Sequence, residues 1–356
     1  MAKQAVNAST IKKLDKSDML SLLMDFPTQF QAALDIAKNS GILFQKRDFN
    51  KIIFAGLGGS AIGADLVRSY LYFQSNIQIS VFREYQLPGC IDSQSLVFLS
   101  SYSGNTEETL SAYKEARDKG ATLIAVSSGG ALKELTTNDK VTFVEIPKGL
   151  PPRCALGYLS IVPLCLLARL GLIKDVEPAV REAMKLLESL RDNNLNPRIS
   201  GKDNISKFIA AKLVNNLAVI YSPSVHFDVC AVRFRGQLAE NSKALAWHHV
   251  LPEMNHNEIV GWENPHKLFK SLKVIMLCDK LMHSRVAKRI GITTELIRKE
   301  GVELIEVHSR GEGLLSRMFS LIYIGDFVSY YLALSYGIDP TPVERITYLK
   351  NKLAQG

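Results

Sequence analysis

The spacing of apolar residues changes rhythm near residue 50. Before it, two helical patterns are visible. Ile11, Leu14, Met19, Leu20, Leu22 and Leu23 line one side of the first, and Phe30, Ala33, Leu34 and Ile36 line the second. After it, short apolar runs predict strands at Lys51–Leu57, Ile77–Phe82, Leu96–Leu99, Thr122–Ser127 and Val141–Ile146. Helices are predicted from Gly58 to about Phe73, over Glu107–Lys119 and after Arg153. Strands alternating with helices imply a parallel sheet covered on both faces, an α/β fold. Glu177–Leu190 reads as an amphipathic helix, and the Asn-rich stretch with Pro197 and Gly201 as a linker. A second alternating region follows. It has strands at Leu217–Ser222, Lys273–Cys278 and Val302–His308, with helices over Val225–Asn241, Leu281–Lys299 and Gly313–Tyr336. Both halves repeat a strand, a Ser-bearing turn and a helix, although the second lacks the glycines of the first. A final helix is predicted over Val343–Leu353. The expected division is an N-terminal helical extension (1–45), a first α/β domain (46–190), a linker (191–204) and a second domain with its C-terminal helix (205–356).

Composition narrows the class. The 356 residues are 47% hydrophobic and 22% charged, the balance of a globular chain with room for two sizeable cores. The net charge of +8 is scattered along the sequence. It suits small anionic ligands and equally an ordinary solvated basic surface, and gives no sign of a nucleic-acid surface. Leu156–Ile173 and Phe319–Ile338 are strongly apolar, but Pro163, Arg169 and Asp326 interrupt them, so both read as buried helices and no membrane span is expected. Five cysteines, with no Cys-x-x-Cys pair, point to reduced thiols. Together with the polar opening Met-Ala-Lys-Gln-Ala-Val-Asn, they lead to an expected cytoplasmic location.

Candidate chemistry sits in a few segments. Ser100-Ser-Tyr-Ser-Gly-Asn-Thr-Glu-Glu-Thr-Leu110 joins a strand to a helix start, where free N–H groups and the helix dipole favour an anion. Ser101, Ser103 and Thr106 are neutral donors there. An ordinary N-cap cluster fits the same residues. Gly56-Leu-Gly-Gly-Ser-Ala-Ile-Gly63 departs from the dinucleotide fingerprint and fits a tight turn against a sugar phosphate equally well. Arg153 heads an apolar helix, where burial demands a carboxylate partner or a ligand. Glu240 in Glu-Asn-Ser-Lys and His256 in His-Asn-Glu-Ile-Val-Gly-Trp supply a carboxylate and an imidazole for acid–base work. The spacing of His248, His249 and His256 is not that of a metal site, so no metal is expected.

Taken together, these segments resemble the sugar isomerase (SIS) superfamily, and within it the bifunctional phosphoglucose/phosphomannose isomerase family. The matching stretches are Gly58-Gly-Ser-Ala-Ile-Gly63, Ser101–Thr106, Pro152-Arg153 with Gly157-Tyr158, Glu240–Lys243 and His256–Trp262. They occur in the family's order, and the resemblance covers essentially the whole chain from about residue 10. Ala64 and Leu245 depart from the pattern, where glycine and proline are usual.

The resemblance implies two SIS domains in a homodimer that converts glucose 6-phosphate and mannose 6-phosphate to fructose 6-phosphate, with no cofactor. It assigns Ser101, Ser103 and Thr106 to the phosphate, with Gly59 and Ser60 beside it. Glu240 becomes the base and Arg153 the stabiliser of enediol charge. His256, lent by the neighbouring subunit, opens the ring with help from Lys350 or its competitor Lys352. The rival reading is a phosphosugar-binding SIS regulator without catalysis. A nicotinamide-dependent oxidoreductase rests on the Gly56–Gly63 turn alone.

Overall fold

The computed structural model describes residues 6–42, 44, 48–353 and 355. The N-terminal residues 1–5 and the boundary expected at 45/46 lie outside them. The chain divides into two units: Asp25–Lys185 with Glu312–Ser316, and Met1–Met24 with Leu186–Gly311 and Arg317–Gly356.

The first unit holds strands β1 (Lys51–Ala55), β2 (Gln78–Phe82), β3 (Ser95–Ser100), β4 (Thr122–Ser127) and β5 (Thr142–Glu145). They form a wholly parallel sheet in the order β2-β1-β3-β4-β5. Every residue of β3 and β4 is buried, because central parallel strands are covered on both faces. A helix absent from the sequence expectation, Gly130–Asn138, makes the crossover from β4 to β5. At nine residues, with a polar end, it shows too little of the 3.6-residue period to be read. Chain order reverses between β1 and β3, the switch point where open α/β sheets offer a crevice at their carboxyl edge.

The second unit has β6 (Leu217–Pro223), β7 (Ala246–Leu251), β8 (Leu272–Cys278) and β9 (Glu303–His308), again all parallel, in the order β7-β6-β8-β9. The chain leaves β6 for β7 through helix Asp228–Ser242, and leaves β8 for β9, in the opposite direction, through helix Ser284–Lys299. Right-handed crossovers therefore put these helices on opposite faces. Packing agrees. Ile290 and Ile297 share a core cluster with Val219, Tyr221, Val274 and Met276. Helix Asp228–Ser242 instead lies on helix Leu314–Ser335, which Arg233 and Gln237 hold by bonds to Asp326. Helix Leu314–Ser335 is long and apolar enough to cross a bilayer by composition, yet its most apolar window is wholly buried.

The N-terminal segment differs from expectation. Its first pattern is two helices, Ala8–Leu14 and Met19–Met24, broken where the Asp15 carboxylate accepts the Met19 and Leu20 N–H groups. These helices pack on the second unit, not the first. The Tyr330 hydroxyl donates to Asp15, and the Tyr323 hydroxyl donates to the Leu23 carbonyl. Helix Thr28–Asn39 packs on helix Leu156–Arg169 of the first unit. The Asn-rich stretch drawn as a linker is held by the Lys207 ammonium, which donates to the Pro197 and Ile199 carbonyls, and by Asn204, whose side chain caps helix Ile205–Leu213.

The Arg233–Asp326 pair is almost completely buried, at 5% and 2% exposed. Removing one partner strands a charge in the core, so Arg233→Met alone should destabilise the protein by about 3–5 kcal/mol in chemical denaturation. Arg233→Met with Asp326→Leu should cost far less.

Candidate active site

Two turns follow the two strands at the switch point of the first sheet. After β1, helix Gly58–Leu71 starts at Leu57, with no side chain capping it. After β3, helix Glu107–Asp118 starts at Thr106, whose side chain does not cap it either. The Thr106 Oγ1 instead lies 2.9 Å from the Ser101 Oγ, which also accepts the Gly104 N–H at 3.1 Å. Two uncapped helix starts at one sheet edge, with hydroxyls between them, offer neutral donors of the kind that can hold an anion. Ser101 is buried and Thr106 partly so. Ser103 is exposed, and its Oγ accepts the Asn105 N–H at 3.3 Å. The buried Ser60 hydroxyl accepts the Tyr102 N–H at 3.2 Å and so ties the first turn to the second, while keeping its proton to donate.

Gly59 brings the third piece into place. A Cβ there would stand 2.8 Å from the Pro152 carbonyl oxygen, so only glycine lets the helix start lie against the Pro152–Cys154 turn that carries Arg153. Arg153 is 4% exposed. Tyr102 supports the same turn: its hydroxyl donates to the Pro147 carbonyl at 2.9 Å and accepts the Leu150 N–H at 2.8 Å. Burial pushes the Tyr102 and Tyr158 phenols above their usual range, which keeps both neutral in the site.

Two supporting features escaped the sequence reading. The turn after β4 interlocks with the turn after β3. The Ser128 N–H and hydroxyl both donate to the Tyr102 carbonyl, and the Ala131 N–H donates to Asn105. Gly104, at φ +73°, could carry no side chain, since a Cβ would lie 1.8 Å from the Gly129 carbonyl oxygen. The Ser127-Ser-Gly-Gly130 run after a strand was a usable signal. Gln29 gave none. Its amide nitrogen donates to the Cys154 carbonyl at 2.7 Å and its oxygen accepts the Gly157 N–H at 3.0 Å, clamping the end of the Arg153 turn.

The second unit carries Glu240, His256 and Lys350. Glu240 is partly buried near the C-terminal end of helix Asp228–Ser242. Its neighbours fix that end: the Asn241 amide donates to the Ser329 hydroxyl, the Ser242 hydroxyl to the Ser329 carbonyl, and Lys243 to the carbonyls of Glu240, Asn241, Asp339 and Pro340. In Glu-Asn-Ser-Lys, the last three residues thus orient the first. His256 is exposed at the end of the short helix Glu253–His256. Its segment belongs to the other face of the second sheet, because Met254 and Trp262 join the core cluster of Ile290 and Ile297. Glu258 anchors that segment by accepting from the Tyr221 hydroxyl and the Trp247 indole N–H. Lys350 stands on helix Glu344–Leu353, none of whose residues is buried, and Lys352 lies over the Tyr348 ring. The first unit therefore gathers Gly59, Ser60, Ser101, Ser103, Thr106 and Arg153 in one place. Within the second, Glu240 and His256 are kept apart.

Known proteins fit this geometry. Residues 202–353 match the family model described as the bacterial phospho-glucose isomerase C-terminal SIS domain. A bifunctional phosphoglucose/phosphomannose isomerase of Caldicellulosiruptor bescii is 45% identical over 337 residues, covering 95% of this chain and 99% of that one. One of the same description from Aquifex aeolicus is 37% identical, covering 86% of this chain and 91% of its own. Among solved structures, a hypothetical protein from Thermus thermophilus superposes with a TM-score of 0.73 at 15% identity, covering 98% of this chain and 93% of that one, which speaks to the fold alone. With that level of identity across nearly the whole length of a relative, the chain belongs to the bifunctional phosphoglucose/phosphomannose isomerase family.

Proposed function

We propose that this protein interconverts glucose 6-phosphate and mannose 6-phosphate with fructose 6-phosphate through a cis-enediol. The observation that carries the reading is the relative of that description, 45% identical and matched over 99% of its length. The neutral-donor anion site beside Arg153 supports it from the side of the structure.

The two aldoses differ only at C2, and both give the same enediol once the C2 proton is gone. In the reading proposed, Ser101, Ser103 and Thr106 hold the phosphate dianion, with the Gly59-Ser60 helix start beside them. Glu240 removes the C2 proton while O1 gains one. The same carboxylic acid then delivers its proton to C1 as O2 loses one, so the reaction closes without a net electron acceptor. Arg153 stabilises the negative charge that grows on O1 and O2. His256, assisted by Lys350, moves the proton that opens the ring.

That histidine comes from a second copy of the chain in a homodimer. Helix Asp228–Ser242 and the His256 segment lie on opposite faces of one sheet. Layers pack about 10 Å apart on each side of a sheet, so one chain holds its own Glu240 and His256 on the order of 20 Å from each other. A single hexose cannot span that distance.

Three outcomes test the reading. Glu240→Gln should lower kcat for both aldose phosphates by about 10²–10⁴-fold; undiminished turnover would remove the carboxylate from the mechanism. Ser101→Ala, which deletes a hydrogen bond to a charged group worth about 1.5–3 kcal/mol, should cut kcat/KM by on the order of ten- to a hundredfold for both sugars, chiefly through KM. Mixing inactive Glu240→Gln subunits with inactive His256→Gln subunits should restore turnover, because one site of each mixed dimer keeps both groups. No recovery after verified subunit exchange would place both residues in one subunit's site.

A further inference from the structure

Cys278, Glu306 and His308 meet at the carboxyl end of the second sheet. Cys278 ends β8 and is paired in register with His308, which ends β9. Glu306 lies two residues earlier on β9 and therefore projects from the same face as His308. Their ligand atoms all lie within 4.8 Å of one another, and among the described residues no other trio of His, Cys, Asp or Glu converges in this way. The Glu306 Oε2 is 3.5 Å from the His308 Nε2, while its Oε1 faces the Arg298 guanidinium at 3.6 Å. Arg298 thus holds the carboxylate with one oxygen turned to the imidazole. Cys278 is 3% exposed and forms the inner wall, while Glu306 and His308 are open to solvent. Nearby Asp279 faces elsewhere, accepting from Arg317 and Ser309.

We infer that this trio is a binding site for a borderline divalent transition metal, with zinc the natural occupant. Around a tetrahedral zinc, bonds of about 2.0–2.3 Å set the donors about 3.3–3.8 Å apart. The Glu306–His308 spacing already fits, and the sulfur, within 4.8 Å of both other donors, needs a shift of about 1.5 Å at most. A thiolate, an imidazole and one carboxylate favour zinc or cobalt over magnesium or calcium, whose shells are built from oxygen. On binding, the sulfur–hydrogen bond is replaced by a sulfur–metal bond and the proton goes to solvent. The open side leaves a fourth position for water. The metal would join the end of edge strand β9 to β8. The inference is independent of the isomerase reading, whose chemistry uses none of these three residues.

The test uses the full-length chain, free of any polyhistidine tag, with exposed Cys90 replaced by serine so that it offers no competing thiol. Titration with Co²⁺ should give one equivalent of binding, with a near-ultraviolet sulfur-to-cobalt charge-transfer band that Zn²⁺ abolishes stoichiometrically. Zn²⁺ should also raise Tm, by an amount that grows with the logarithm of its free concentration. His308→Gln and Glu306→Gln change exposed residues and leave the fold intact. Each should weaken Zn²⁺ binding by more than the ~10–100-fold that loss of a merely supporting group costs, and Cys278→Ser should abolish the band. No stoichiometric binding would overturn the inference, as would binding without the band or binding unchanged in both β9 variants. Sugar turnover enters none of these readings, so failure here leaves the proposed activity untouched, and failure of that activity leaves the metal site standing.

Discussion

The first unit depends on backbone meeting backbone where side chains would intervene. At the carboxyl edge of its sheet, the start of helix Gly58–Leu71 lies against the Pro152 carbonyl, and the turn after β3 lies against the turn after β4. Each contact exists because a glycine stands there, and each positions groups of the proposed site: Ser60 and Arg153 in the first case, Ser101 and Thr106 in the second. Hydrogen bonds then lock what the glycines allow. Tyr102 is the hub, joined to Ser60 through its N–H, to Ser128 through its carbonyl and to the 147–150 loop through its hydroxyl. The proposed anion site is therefore made mainly of neutral dipoles fixed by packing, with one buried arginine beside them.

The second unit uses its corresponding edge differently. At the end of β8, Asp279 accepts from both Arg317 and Ser309, so a buried ion pair fills the region where the first sheet leaves donors open. This explains why the turn between β8 and helix Ser284–Lys299 carries no glycine. A turn closed by side chains needs no close backbone approach. The proposed base, Glu240, stands instead at the end of a helix pinned by Asn241, Ser242 and Lys243.

Much of this was legible in the sequence. The alternation of apolar runs gave both parallel sheets, since central strands such as β3 and β4 are buried on both faces and must be continuously apolar. Strand β7 was invisible for the converse reason. As an edge strand with Trp247, His248 and His249 partly exposed, it shows neither an apolar run nor a clean alternation. The motifs marked the positions of Ser101, Arg153 and Glu240, because local turn chemistry and charge in apolar surroundings are local signals. What could not be read was which distant segment supports them. Gln29 looks like any polar residue of an amphipathic helix until the fold brings it to Gly157, and the faces that separate Glu240 from His256 follow from crossover handedness, which no short window contains.

The Gln29 clamp has a consequence for how the chain is divided. Everything that makes the first sheet lies after residue 50, and a fragment beginning at β1 would keep all five strands and every glycine at the carboxyl edge. It would nonetheless lose the Gln29 amide's bonds to the Cys154 carbonyl and the Gly157 N–H, and the cover that helix Thr28–Asn39 gives helix Leu156–Arg169. Such a fragment would keep its strands but lose the clamp on the end of the turn that carries Arg153. The leading helix Thr28–Asn39 is thus an integral part of the first unit, although it precedes every strand of its sheet.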